Sequence, residues 1–206
     1  MKNQESGIAL NWNYVICSIV VLALLTLLVL YMPNMRAVDE NILHSIRLAL
    51  SPYPSYIPVF ISEFGLANHM FWPQLTAVCV LVSHKHYMKS ALLVGAVWLT
   101  YFLKGVLKDF VCRPRPENVC SGFSFPSGHS SVTMCFYGIL IYLVLRYVHE
   151  SFWRYFLVTL FSVWIFLVGL SRMWLGAHFL SDVIAGMFLG FLVVNLYIII
   201  TKSISR

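Results

Sequence analysis

Residues 14–32 read YVICSIVVLALLTLLVLYM, nineteen consecutive positions without a charged side chain. A helix of about 20 apolar residues crosses the hydrocarbon core of a bilayer, so this run is long enough to span. It exceeds the roughly 7–15 apolar residues of a signal-peptide core, and no small-x-small cleavage site follows it. It is therefore expected to stay in the protein as a first membrane helix. Similar apolar runs with few charges recur near 57–82, 88–107, 127–147, 155–171 and 180–201. These six runs predict an all-α, polytopic membrane protein: one domain over 1–206, a bundle of six transmembrane helices with its active site at one membrane face.

Composition agrees with that reading. Hydrophobic residues make up 60% and charged residues 11% of the 206 positions, against roughly 45–50% and about 25% in an ordinary soluble domain. Disorder is excluded and a soluble globule is disfavoured. Fourteen Lys and Arg against eight Asp and Glu give a net charge of +6, but the basic residues are scattered singly between apolar runs. A scattered excess of this kind gives no stripe for nucleic acid.

Six spans place both termini on one side. Proline and polar clusters mark the connections at 33–54, 108–126 and 171–181, which by parity share the opposite face. Lys2, Lys85, Lys89, Arg146, Arg154, Lys202 and Arg206 lie on the terminal side and seven further basic residues on the other. Three of the latter, Lys108, Arg115 and Arg172, belong to a patterned cluster. Setting them aside leaves Arg36, Arg47, Lys104 and Arg113, and the balance then favours cytoplasmic termini with the cluster on the extracytoplasmic side. In that compartment Cys112 and Cys120, which bracket a short arginine loop, are candidates for a disulfide; two free thiols are the alternative.

Ionisable groups at the ends of membrane spans are costly unless they face water, a partner or a ligand. Here they fall into three groups: Lys108-x6-Arg115-Pro116, Pro126-Ser127-Gly128-His129, and Ser171-Arg172-x5-His178-x3-Asp182. Lys108, Arg115 and Arg172 offer permanent positive charge, and the arginine forks suit bidentate capture of phosphoryl oxygens. Ser127 and Gly128 open the fourth span, where unpaired N–H groups favour an anion. His178 and Asp182 are four apart, so on a helix the carboxylate can hold one imidazole nitrogen and leave the other free to attack. His129, on a different helix, is then available to protonate a leaving group and deprotonate water.

In spacing and in order these three groups resemble the signature motifs of the type 2 phosphatidic acid phosphatase superfamily. The motifs lie within 108–182, and the six-span layout extends the resemblance over nearly the whole chain. The resemblance implies His178 as nucleophile, Asp182 as its partner and His129 as acid and base. It implies Lys108, Arg115, Ser127, Gly128 and Arg172 as phosphate ligands, with no metal and no cofactor. The expected activity is hydrolysis of a lipid phosphomonoester or diphosphate through a phosphohistidine. Undecaprenyl diphosphate stands first, which would tie the enzyme to lipid-carrier recycling in the cell envelope. Phosphatidylglycerophosphate, phosphatidic acid and lipid A phosphates are the alternatives, together with lipid phosphotransfer. From a different class, an anion-binding membrane scaffold or a transporter would keep the same cluster. The expected partner is a membrane lipid, with no obligatory protein partner, and the expected location is the cell membrane, the inner one in a Gram-negative cell.

Other features read more simply. Lys104, one turn before Lys108, extends the cationic patch or snorkels as an anchor. Glu63 pairs with Lys104, helps bind substrate, or marks the water boundary of a tilted second span. His84 and His86 flank Lys85 in a short solvated loop. Gly186-x3-Gly190 suits close helix packing, within the fold or between copies. Trp12, Tyr14, Trp153 and Tyr155 read as interfacial belts.

Overall fold

A computed structural model describes residues 2–63, 67–117 and 121–204, with the side chains of 2–10 and 67–69 set aside. Its elements in chain order are α1 (Lys2–Tyr31), α2 (Met35–Leu50), α3 (Tyr56–Glu63), α4 (Ala67–Ser83), α5 (Tyr87–Val111), α6 (Gly128–Tyr147), α7 (Ser151–Trp174) and α8 (Leu180–Ile204). The described residues contain no strand, as expected where each backbone N–H and C=O must be satisfied within its own segment.

Among the described residues, five helices are long and apolar enough to cross a bilayer: α1 from Asn11 onward, α5, α6, α7 and α8. The expected second span is described as α3 and α4, on either side of residues 64–66. The apolar part of α4, Met70–Ser83, covers about 21 Å at 1.5 Å per residue, short of a hydrocarbon core of about 30 Å. Pro73 inside α4 removes a helix hydrogen-bond donor, which weakens the helix further. By length and composition, five of the expected six spans are present among the described residues, and α4 is the short apolar helix at the position of the remaining one.

The first connection is also more ordered than its proline-flanked, charged sequence suggests. It folds as α2, whose Leu43, Ile46 and Leu50 fall on one face, with Leu43 buried and the other two half-buried. Asp39 lies on that same face and is buried with Leu43. The helix packs against α7 and α8.

Packing of α8 on α6 organises the site. A Cβ on Gly186 would lie 2.5 Å from the Ser127 carbonyl oxygen, and one on Gly190 would run into the Ser131 carbonyl. Only glycine admits so close an approach, so the Gly186-x3-Gly190 stripe is used inside the fold. Leu93 and Val97 of α5, Phe136 and Ile139 of α6, and Val193 and Tyr197 of α8 form a buried cluster beneath it. Ile16, Trp98, Phe102 and Phe166 point outward and are exposed, an apolar perimeter suited to a lipid surrounding. At the terminal end, Asn11 donates to Asn195 at 3.0 Å and Lys202 to Asn11 at 2.9 Å, joining α1 to α8.

Candidate active site

The ends of α5 and α7 and the starts of α6 and α8 come together at one face, and each junction has a local cause. Cys112 ends α5 in the left-handed region at φ 52°, with its N–H donating to the Lys108 carbonyl at 2.9 Å. Ser127 caps α6, its hydroxyl accepting from the Ser130 N–H at 3.4 Å. The Ser127 N–H in turn donates to the Asp182 carbonyl at 2.9 Å, which fixes the start of α6 to the start of α8. The three motif groups, 74 residues apart at their extremes, thereby share one site.

His178 sits in the turn between α7 and α8 and is 2% exposed. Its Nδ1 faces Oδ2 of Asp182 at 3.6 Å, an ion-pair separation longer than a hydrogen bond. Its Nε2 lies 3.1 Å from Nη1 of Arg115. A guanidinium can only donate, so Nε2 is the lone-pair nitrogen and the ring proton belongs on Nδ1, toward Asp182. Burial pulls the imidazole down to about 4; Asp182 opposes this, and Arg172 and Arg115 add to it. His178 is therefore neutral at pH 7, with its lone pair on Nε2.

The cations converge on the same point. Arg115 donates from Nε to the Gly122 carbonyl and from Nη1 to the Ala177 carbonyl, both at 3.0 Å. Lys108 donates to the carbonyls of Phe123 and Ser124, the second at 3.4 Å. Arg172 is buried and donates to the Ser62 hydroxyl, so α3 reaches into the site through Ser62. His129, in the first turn of α6, keeps Nε2 buried with no hydrogen-bond partner among the described residues. Every motif residue expected from the sequence lies in this neighbourhood; Ser127 does so as a helix cap, with the Ser130 hydroxyl 3.0 Å from its own.

Lys104 is a resident of the site. Its Nζ would lie 3.1 Å from a Cβ on Gly128, and it stands 4.5 Å above the Tyr101 ring. Glu63 is exposed at the end of α3. Cys120 lies outside the described residues; Cys112 is exposed, with Sγ 3.0 Å from the Asp109 carbonyl oxygen.

Two charged residues of the site were not legible as such. Arg113, counted above among the untied basic residues, is buried and donates to Asp182 Oδ1 at 2.8 Å and to Asp39 Oδ2 at 2.7 Å. Asp39 is buried beside it, on an element the sequence reading took for a loop. An acidic residue on the apolar face of an amphipathic pattern, at the spacing 39, 43, 46 and 50, was the available signal, since such a group needs a partner.

Comparison with known proteins gives the family and the fold. Phosphatidylglycerophosphatase B of Bacillus subtilis is 29% identical over 171 residues, covering 76% of this chain and 80% of its own length. The crystal structure of a transmembrane PAP2-type phosphatidylglycerolphosphate phosphatase from Bacillus subtilis matches with a TM-score of 0.81 at 24% identity, over 95% of this chain and 98% of that one. Aquifex aeolicus LpxE matches with a TM-score of 0.55 at 22% identity, over 76% and 93%. These two structures share the fold. The sequence model of the PAP2 superfamily matches residues 89–205, more than half of the chain. The chain belongs to the PAP2 superfamily, and it is a multi-pass membrane phosphatase, a hydrolase of phosphoric esters.

Proposed function

We propose that the protein removes the terminal phosphoryl group of a membrane lipid by covalent transfer through His178, with undecaprenyl diphosphate as substrate. The observation that carries the mechanism is the pair of contacts on His178. Nδ1 is turned to Asp182, while Nε2 faces a phosphate-binding guanidinium. An entering phosphoryl group takes the place beside Nε2 and recruits Arg115, Lys108, Arg172 and the Gly128 N–H to its oxygens. The Nε2 lone pair forms the N–P bond as the bond from phosphorus to the lipid oxygen breaks, and His129 protonates that oxygen. Water then attacks phosphorus, His129 takes its proton, and the P–N bond breaks to release inorganic phosphate. The charge that spreads over the phosphoryl oxygens meets side-chain cations and a backbone N–H, which supports a mechanism without metal.

Lys104 supports a diphosphate, since it adds a fourth cation one helical turn deeper than Lys108, toward the lipid-linked phosphate. A specific observation favours phosphatidylglycerophosphate as a second reading: the Bacillus subtilis relative named for that lipid aligns over most of both chains. The termini are proposed to be cytoplasmic and the site extracytoplasmic, with α4 completing a sixth crossing where the bilayer thins or the helix tilts. With the cluster cations Lys108, Arg115 and Arg172 set aside, the balance of basic residues toward the terminal side supports this orientation.

The test is phosphate release by the detergent-purified protein from undecaprenyl diphosphate, phosphatidylglycerophosphate and phosphatidic acid, in excess EDTA, with His178→Ala beside it. Release by the wild type, falling by about four orders of magnitude or more in the variant, is expected. Equal release from both proteins, or none in EDTA with activity restored by a divalent ion, contradicts the mechanism.

A further inference from the structure

We propose that Asp39 is a positioning residue for catalysis: as counter-ion to Arg113, it lets Arg113 anchor Asp182 without cancelling the negative charge that Asp182 presents to His178. This rests on His178 as nucleophile and Asp182 as its orienter.

The geometry closes at every atom. Asp182 accepts from Arg113 Nη1 on Oδ1 at 2.8 Å and from the Phe179 N–H on Oδ2 at 2.9 Å, the oxygen that faces His178. Arg113 donates from Nη1 to the Ser181 hydroxyl at 2.7 Å and from Nη2 to Asp39 Oδ2 at 2.7 Å, and its guanidinium lies 4.2 Å over the Phe179 ring. Asp39 accepts from the Ser181 hydroxyl at 2.5 Å and from the Ser181 N–H at 3.2 Å. Exposure is 1% for Asp39, 8% for Arg113 and 0% for Asp182, so water screens none of these charges.

The consequence is a matter of sign. Two carboxylates and one guanidinium sum to a single negative charge beside a ring that turns cationic when Nε2 bonds phosphorus. Without Asp39, Arg113 and Asp182 sum to zero, and the phosphoimidazolium faces only the cations already present: Lys108 from α5, Arg115 from the 112–127 loop and Arg172 from α7, with His129 from α6. A carboxylate held by an arginine alone is a poor electrostatic partner for a second cation. Asp39 restores the missing charge from α2, a helix that bears none of the three motifs. A purely structural clasp between α2 and the loop would hold the same contacts but would predict a different response to charge-balanced substitution.

The experiment compares wild type, Asp39→Asn, the double variant Asp39→Asn/Arg113→Gln and His178→Ala. Substrate is whichever of undecaprenyl diphosphate, phosphatidylglycerophosphate and phosphatidic acid the wild type turns over fastest in detergent micelles. Asp39→Asn is expected to lower kcat by about 10- to 100-fold with KM within about threefold, as a charge coupled to the transition state requires. The double variant removes one charge of each sign, leaves Asp182 as the net negative group, and is expected to recover at least about fivefold in kcat over Asp39→Asn. A kcat for Asp39→Asn within about twofold of wild type, or a double variant no faster than the single one, overturns the proposal. Aggregation of both variants assigns the pair to folding and overturns it as well. An inactive wild type overturns the mechanism on which it rests, and is distinguished by that.

Discussion

His178 is acted on in opposite senses by burial and by Asp182, and burial prevails, taking the imidazole down to about 4. A histidine depressed in this way stays neutral as pH falls through the ordinary value of 6.5 and gains its proton only near the lower value. Between those two values the unfolded chain binds a proton that the folded one refuses, so stability falls as pH falls. Carbon-13 histidine NMR in micelles, with His178→Ala to assign the resonance, is expected to give a midpoint well below 6.5. A midpoint at or above that value would mean that Asp182 outweighs burial, and that the free nucleophile is partly protonated at neutral pH. The motif residues themselves were legible because their chemistry is tied to fixed spacing at helix ends. Arg113 and Asp39 were not, since their pairing joins positions 74 apart in sequence and no local spacing encodes it.

Elements were legible where the apolar run is long and uninterrupted, as in α1, α7 and α8, and illegible where proline and charge break it. Residues 57–82 read as one span by composition; α3 and α4 lie along it, with Pro73 inside α4 and an apolar stretch of only Met70–Ser83. In α2, within the connection marked by proline and polar clusters, the charged residues Arg36 and Glu40 pair on the exposed face at 2.7 Å. The glycine stripe of α8 was legible as a packing surface, but sequence could not assign its partner; the structure gives it to α6. Because the atoms it meets are backbone carbonyls, they cannot swing aside. Gly190→Leu is expected to destabilise the protein by at least about 1–3 kcal/mol, seen as a lower melting temperature in detergent, with the ratio of monomer to higher species unchanged. A shifted oligomer ratio at an unchanged melting temperature would place the stripe between copies instead.

For the whole molecule, the functional point is where the charge lies in an otherwise apolar body. One end gathers the motif cations, Arg113 and the two motif histidines, while the perimeter is apolar, so a lipid head group can reach the charges with its chains still in the bilayer. Sidedness follows from the proposed cytoplasmic termini. In a chain lacking its native cysteines, a membrane-impermeant thiol reagent on intact cells is expected to label Ala37→Cys on α2 and spare His84→Cys in the opposite loop. The reverse pattern would turn the molecule over. The central claim is that phosphate leaves the lipid by way of His178, and rapid-quench labelling with a substrate carrying phosphorus-32 tests it most directly. The account predicts a transient acid-labile, alkali-stable label on the wild-type protein that maps to His178 and is absent from His178→Ala. Turnover of that substrate with no transient label on the protein, or with label retained in His178→Ala, would contradict it.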